Sequence, residues 1–507
     1  MKKDQKLSIN IISSMVAYFV TLLIQFFLSP YIVENIGLEA NGFVSLANDF
    51  VNYASLVTIA INSLAGRFIT IKIYEKDINS ANIYFSSVFF VNIILSIIMS
   101  IVMVAIIYFL EYLINVPEGI ILDVKILFGF VFANFIINTI GTTYSVSTFV
   151  TNRLYLTSLR QMEANIIRAF IVLGLFSFFE PKIYYIGIAS VMMGVYIVSF
   201  SIYYTKKLLP QFCIKLELLD IKAIWSIFSS GIWNLITRLG QLLLDGLDLL
   251  ITNIFINATS MGVLAIAKML SMAITGIVGN AANVFSPDFT ILYAEKKETE
   301  LVRAVFKSMK IMGILSNIPI VVLIVCGERF FALWQPTQNS LTLHRLAVLS
   351  CGCLIFSGSV NCLYNIFTVV NKLKFNSLTI VLSGIINTVL VCVFLPRTDG
   401  NIYVVAGIST LISIVRNLLF TVPYGAICLG KKWHTFYPVV AKSVVYVLIC
   451  SLIGASIERV WGMNGWLDLI TLTFVVCFVS GVISLFTILN YNDREELKII
   501  FTRRFVK

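Results

Sequence analysis

Histidine is nearly missing. His344 and His434 are the only two in 507 residues, and neither has an evident triad partner, so the commonest general base and metal ligand is scarcely available. Cysteine does not occur before Cys213; the nine thiols lie mostly within apolar runs, and Cys351-Gly-Cys353 has no paired histidines for a zinc site. They read as free, buried thiols. Charge is scarce as well, 12% of residues against 59% hydrophobic, with a mean hydropathy of +0.93. Long polar segments are also lacking. The largest polar connection, 206–220, is too short for an inserted soluble domain, and the external stretch 327–341 is too short and bland for the catalytic loop of a membrane polymerase or glycosyltransferase. These absences argue against an enzyme and against cofactor or metal chemistry.

What is present is apolar sequence in helix-length runs. About 20 apolar residues cross about 30 Å of hydrocarbon, and such stretches recur near 10–36, 41–70, 83–111, 121–150, 156–179, 183–205, 222–256, 260–291, 305–326, 343–370, 375–396, 401–426, 437–458 and 464–490. The expected fold class is therefore all-α, a polytopic membrane protein of about fourteen transmembrane helices. The first run follows Met1-Lys2-Lys3 but is too long for a signal-peptide core and has no small-residue cleavage site, so it is read as retained.

A net charge of +11 could signal nucleic acid, but the basic residues are sided. Lys2, Lys3 and Lys6 begin the chain. Alternate connections then carry Lys72 and Lys76, Arg153 and Arg160, Lys206, Lys207 and Lys215, Lys296, Lys297 and Arg303, Lys372 and Lys374, and Lys431 and Lys432. Arg503, Arg504 and Lys507 end it. The positive-inside rule places both termini in the cytoplasm, with the bilayer rather than nucleic acid as partner.

The chain also matches itself at a shift of about 220 residues. Asn152-Arg153-Leu154 recurs as Asn371-Lys372-Leu373, Thr70-Ile71 with Glu75-Lys76 recurs as Thr290-Ile291 with Glu295-Lys296, and Gly42 corresponds to Gly262. Such a shift groups the spans as six, six and two: 1–208, 209–430 and 431–507. Repeats of the same orientation are related by an axis along the membrane normal, with a binding site expected between them.

The seventh span carries Asn234, Arg238, Gln241, Asp245, Asp248 and Thr252 at steps of four and three, one face of a continuous helix. In register on the first span stand Ser14, Tyr18, Thr21 and Gln25. The second span shows Ser45, Asn48, Asn52, Ser55 and Asn62 on one side, and Lys268 of the eighth stands where the second has Asn48. A charge facing lipid costs about 2.5–3.5 kcal/mol, so the stripe faces other helices or a cavity. Two readings stand for Arg238, Asp245, Asp248 and Lys268: a set that binds substrate or coupling ion, and an ion-pair network that only fixes packing. For the asparagines of the second span, cavity lining and interhelical hydrogen bonding are equally open. Arg67 and Asp288 read as snorkelling or capping groups near helix ends. Arg168 and Arg416 remain open between structure and function.

The 6+6+2 plan and the opening Ser8-Ile9-Asn10 through Ser29-Pro30, then Asn35-Ile36-Gly37-Leu38-Glu39-Ala40-Asn41-Gly42-Phe43, resemble the bacterial polysaccharide flippases. These are the O-antigen and capsule repeat-unit exporters of the multidrug/oligosaccharidyl-lipid/polysaccharide (MOP) superfamily. The resemblance implies two MATE-like six-helix lobes around a cationic cavity, with two extra helices linked to a lipid tail, and a polyprenyl-diphosphate oligosaccharide as cargo. It also implies alternating access, with polysaccharide polymerase and glycosyltransferases as candidate partners. A diphosphate needs Arg or Lys, here Arg238 and Lys268; sugar hydroxyls need neutral polar and aromatic groups, here Gln241, Asn48, Asn52, Tyr18 and Tyr53. Tyr18 stands where some relatives carry arginine. Asp245 and Asp248 would couple transport to an H⁺ or Na⁺ gradient or form a structural ion pair. The alternatives are a multidrug or cation antiporter of the same superfamily and a non-transporting membrane scaffold.

Overall fold

The computed structural model describes residues 3–398, 400–462 and 465–489. Lys2, Arg503, Arg504 and Lys507, and the side chains of Lys3 and Lys6, lie outside the described residues. Helices follow one another with short connections, and among the described residues there is no strand. The first six spans are α1 (Lys3–Ile36), α2 (Leu38–Tyr74), α3 (Ile78–Tyr108), α4 (Ile121–Val150), α5 (Leu154–Phe178) and α6 (Tyr184–Leu208). The seventh is interrupted: α7 (Ile221–Gln241), a π-helical turn at Leu242–Gly246, and α8 (Asp248–Phe255). Then come α9 (Ala258–Asn283), α10 (Ser286–Ala294), α11 (Glu298–Trp334), α12 (Ser340–Cys351), α13 (Leu354–Val369) and α14 (Leu373–Phe394). A second π-turn, Asn417–Thr421, separates α15 (Ile402–Arg416) from α16 (Val422–Cys428), and α17 (Tyr437–Val460) and α18 (Trp466–Thr487) finish the series.

Among the described residues thirteen spans are long and apolar enough to cross a membrane, as expected of a multi-pass membrane protein. The fourteenth expected span is the interrupted seventh, whose polar residues keep it outside that set. The distribution of polarity is what lipid demands: large apolar residues such as Ile97, Ile101, Val104, Leu452, Phe474 and Phe478 point outward, while Ser86, Asn92, Thr143, Asn317, Ser359 and Thr421 are buried.

By contacts the chain forms two compact units, residues 1–242 with 246–262, and residues 243–245 with 263–507. The lobes expected from the repeat are a grouping by sequence register, a different quantity from compactness. In the first unit α1 and α5 run in parallel register. Asn10 Nδ2 donates to Asn152 Oδ1 at 2.9 Å, Ser14 and Ser158 hydroxyls meet at 3.0 Å, and Asn165 Nδ2 donates to Thr21 Oγ1 at 3.0 Å. Leu28 and Ile32 continue the seam against Val172 and Phe176. In the second unit α17 and α18 pack on α11 through Val321, Val325, Tyr446, Val447, Leu472 and Val476.

The turns preserve the repeat. Among the described residues four non-glycine ones have left-handed backbones: Lys76 (φ 61°), Asn152 (φ 51°), Lys296 (φ 57°) and Asn371 (φ 55°). They are two pairs of repeat equivalents. At each, the next residue closes a six-residue loop onto the helix before it: Asp77 N to Lys72 O, Arg153 N to Thr148 O, Lys297 N to Leu292 O and Lys372 N to Phe367 O, at 2.8–3.0 Å. This Schellman geometry satisfies carbonyls that a helix end leaves without partners.

Candidate functional site

The polar seventh span starts with an ordinary cap, Asp220 accepting a hydrogen bond from Lys222 N at 2.9 Å. α7 then approaches α2 so closely that a Cβ on Gly231 would stand 1.9 Å from Ala60 O, and one turn later Asn234 Nδ2 donates to Ser63 Oγ at 3.2 Å. Arg238 Nη1 reaches Gln241 Oε1 at 3.4 Å. Beyond Gln241 the wide π-turn frees backbone carbonyls, which inside a membrane must be satisfied by side chains. In the first unit, Tyr53 OH donates to Gly246 O at 2.7 Å. In the second unit, Leu243 O accepts from Thr388 Oγ1 at 3.1 Å, Leu244 O from Asn387 Nδ2 at 2.8 Å, and Asp245 O from Lys268 Nζ at 2.8 Å.

A π-turn holds more residues per turn than an α-helix, so it rotates everything that follows it. The stripe is therefore split. Arg238, Gln241 and Asp245 are exposed, whereas Asp248 and Thr252 are buried at 4% and 0% exposure. Thr252 Oγ1 donates to Asp248 O at 2.7 Å. Lys268, on α9, is half-buried, and its ammonium serves the π-turn carbonyl of Asp245.

On α2, Asn48 and Asn52 are exposed one turn apart, and Asn48 Nδ2 is bonded to Val44 O of its own helix at 2.8 Å. Asn62 belongs to a different arrangement: it exchanges amide bonds with fully buried Asn92 at 3.2 and 3.0 Å, and Asn92 donates on to Thr143 Oγ1 at 3.2 Å. The polar face of α2 thus divides into an exposed part at Asn48 and Asn52 and an interhelical bridge at Asn62. Tyr18 on α1 is half-buried, and Gln25 is exposed.

Asp49 on α2 is buried at 8% exposure, and the Tyr53 hydroxyl, one turn further on, interacts electrostatically with both Asp49 and Asp248. Two buried acidic residues, one on α2 and one on α8, thus act on one phenol. The signal available in sequence was Asp49-x3-Tyr53, the i, i+4 spacing that puts both on one face. Arg416 is 8% exposed within neutral groups, Nη2 donating to Asn376 Oδ1 at 3.1 Å and the guanidinium lying over the Tyr364 ring at 5.5 Å. Arg168 Nε has no hydrogen-bond partner among the described residues. Asp288 is exposed in the first turn of α10, where the helix dipole favours a carboxylate.

No family model matches the chain. An uncharacterized membrane protein, EpsK of Bacillus subtilis (strain 168), is 26% identical over 492 residues, 97% of each chain. Among solved structures, the inward closed conformation of the lipid II flippase MurJ superposes with a TM-score of 0.66 at 13% identity, covering 98% of this chain and 99% of that one. An inward-facing multidrug resistance MATE family transporter of the MOP superfamily gives a TM-score of 0.61 at 15% identity, covering 85% and 98%. A MOP superfamily transporter from Pyrococcus furiosus, described as having a binding pocket of reverse polarity, gives 0.60 at 12%, covering 83% and 95%. The chain is an all-helical membrane protein with the fold of MOP-superfamily transporters.

Proposed function

We propose that this protein is a flippase that moves a lipid-linked, polyprenyl-diphosphate oligosaccharide across the cytoplasmic membrane for cell-surface polysaccharide biosynthesis, by alternating access with both termini in the cytoplasm. The observation that carries the reading is the exposed guanidinium of Arg238 within a membrane span, beside exposed Gln241. An apolar surrounding makes such a cation expensive unless an anion visits it, and a guanidinium matches the forked oxygens of a phosphate. Lys268 supplies a second cation whose ammonium can exchange the Asp245 carbonyl for phosphate oxygen. Exposed Asn48 and Asn52, with Tyr18, offer hydroxyl-binding groups for sugars.

Coverage supports the lipid-linked cargo over a drug. The MurJ likeness extends over 98% of the chain, whereas the MATE likeness leaves a share the size of the segment bearing α17 and α18. Asp245 and Asp248 are proposed as the proton- or Na⁺-coupling carboxylates, with polysaccharide polymerase and glycosyltransferases as working partners. Arg238→Ala and Lys268→Ala proteins are expected to reach the membrane at normal levels and to lose polysaccharide display. Normal display in both removes these residues from the mechanism. Display that persists after both ion gradients are collapsed removes the coupling role.

A cation antiporter is the second reading, favoured by the two buried acidic residues Asp49 and Asp248. Drug-resistance assays in an efflux-deficient host separate the two: resistance conferred by the chain, with display unaffected by its deletion, selects the antiporter.

A further inference from the structure

Arg160, Arg168 and Arg416 lie on membrane helices away from the polar stripe of the seventh span, and they are held differently. Arg160 Nη1 on α5 meets the Glu163 carboxylate at 2.7 Å, and its guanidinium lies over the Phe200 ring at 4.8 Å. Arg416 is clad in neutral groups, Asn376 Oδ1 and the Tyr364 ring. Arg168, also on α5, has neither arrangement. It is half-buried with Nε enclosed, and no described residue accepts a hydrogen bond from its guanidinium or forms an ion pair with it. A packing role shows in partners, as it does for the other two.

The place of Arg168 follows from the seam between α1 and α5, which lies wholly within the first unit. Asn10 meets Asn152, Ser14 meets Ser158, and Thr21 meets Asn165, the last two pairs at the same offset of 144 residues. Leu28 and Ile32 then pack on Val172 and Phe176. Arg168 comes three residues after Asn165 and four before Val172, so it shares their face of α5, and the same offset sets Ile24 and exposed Gln25 opposite it. It is fourteen residues into α5, about 21 Å from the end that the basic connections assign to the cytoplasm, well within a hydrocarbon layer about 30 Å thick. The seam is thus polar from that end up to Arg168 and apolar beyond it.

A guanidinium without a partner at that depth is costly, and an anion that arrives there removes the cost. The planar fork presents paired donors to two oxygens of one phosphate. Hydroxyls and amides on one side and hydrocarbon on the other match a phosphate carried on a lipid better than a small hydrated ion. We infer that Arg168 binds the phosphate end of the lipid-linked cargo at the middle of the membrane. The inference rests on the flippase reading above and adds to it a cargo-binding residue on the α1–α5 seam.

The test measures binding of polyprenyl diphosphate, polyprenol of the same length and inorganic diphosphate to the purified full-length protein by native mass spectrometry, with lipid-free melting temperatures taken alongside. The unaltered protein is expected to prefer polyprenyl diphosphate to polyprenol. Arg168→Gln should weaken the diphosphate lipid at least about ten-fold, the scale of hydrogen bonds to a charged group, and leave polyprenol unchanged. Arg168→Lys keeps the charge without the fork and should fall between. Because the cation has no partner to lose, Arg168→Gln and Arg168→Met should melt at or above the temperature of the unaltered protein, whereas Arg416→Gln should melt lower and bind as before. If the unaltered protein does not distinguish polyprenyl diphosphate from polyprenol, the flippase reading falls and the inference with it. If it does, and Arg168→Gln keeps the full preference, the inference alone is overturned and Arg168 is a packing residue. Inorganic diphosphate binding as tightly as the lipid, and lost in Arg168→Gln, makes a free anion the ligand and also overturns it. Should the neutral variants misfold, Arg168→Lys carries the test, and undiminished binding by it counts against the inference.

Discussion

Asn92 is fully buried in a lipid-embedded helix and holds Asn62 and Thr143 through three hydrogen bonds. Interhelical bonds of this kind average about 0.6 and reach about 1.7 kcal/mol. Asn92→Ala should therefore cost about 1 kcal/mol in reversible unfolding, and Asn62→Ala added to it little more, since one network is lost once. Costs that sum fully in the double variant would show that the two side chains act separately. Outside the membrane, hydrogen bonds from Ser80 hold the Asp77 carboxyl below its ordinary range. A depressed folded-state pKa stabilises fully above the unfolded value of about 3.9 and is lost as pH falls through the folded one. Asp77→Asn should accordingly lower stability at neutral pH by this share and converge with the unaltered protein as pH falls, which flattens the acid limb of the stability profile. At this scale sequence periodicity identified Asn62 as one of a polar row, but its partner Asn92 lies 30 positions away, and the Thr143 to which Asn92 donates lies a further 51. Only tertiary packing could separate it from Asn48 and Asn52, which share its spacing and not its burial.

The seventh span is the element in which sequence and structure differ most. Steps of four and three fit an unbroken helix, and Leu242-Leu243-Leu244 offers no breaker; the π-turn is stabilised by Tyr53, Thr388, Asn387 and Lys268, all remote in sequence. The second π-turn had a nearer signal in Pro423, just inside α16. Tyr53→Phe leaves the Gly246 carbonyl without its donor, and should lower stability by about 1–3 kcal/mol, the cost of an unsatisfied buried acceptor. Unchanged unfolding would mean that the turn finds another donor. Gly231→Ala is the corresponding test of the α2–α7 crossing. With backbone oxygen at 1.9 Å the helices must separate, an overpacking cost of about 1–3 kcal/mol visible as a lower melting temperature than for Gly279→Ala, where no atom lies within 4 Å.

For the molecule as a whole, hydropathy located the helices because length and apolarity are local properties, and thirteen of the expected runs meet both criteria in the structure. Sidedness is a further prediction. Single cysteines replacing Lys76 and Lys296 should react with an impermeant thiol reagent only in opened membranes, and cysteines replacing Gly119 and Thr337 in intact cells. The reverse pattern would invert the topology and remove the cytoplasmic entry of cargo. At the other end of α11, Arg329 Nε meets Glu458 Oε1 at 2.5 Å, and its two Nη atoms reach the Glu458 and Trp461 carbonyls at 3.2 Å, tying that helix to the end of α17. Both partners are partly open to solvent, so the pair is expected to contribute modestly. Glu458→Gln should raise proteolysis after α17 more than it lowers global stability.

The beginnings of α2 and α9 touch at repeat-equivalent positions. A Cβ on Gly42 would stand 2.9 Å from the Gly262 Cα, and Thr259 Oγ1 donates to Glu39 Oε1 at 2.6 Å, partners 220 residues apart. Had the halves been separate, identical polypeptides, each of these contacts would be one residue facing its own copy, and Glu39 would confront a second glutamate. Fusion into a single gene lifts that restriction: one copy can keep the carboxylate while the other evolves a hydroxyl to receive it. The glycines do not share that freedom: a Cβ on Gly42 would press on the Gly262 backbone, and one on Gly262 would stand 2.6 Å from the Leu38 carbonyl oxygen.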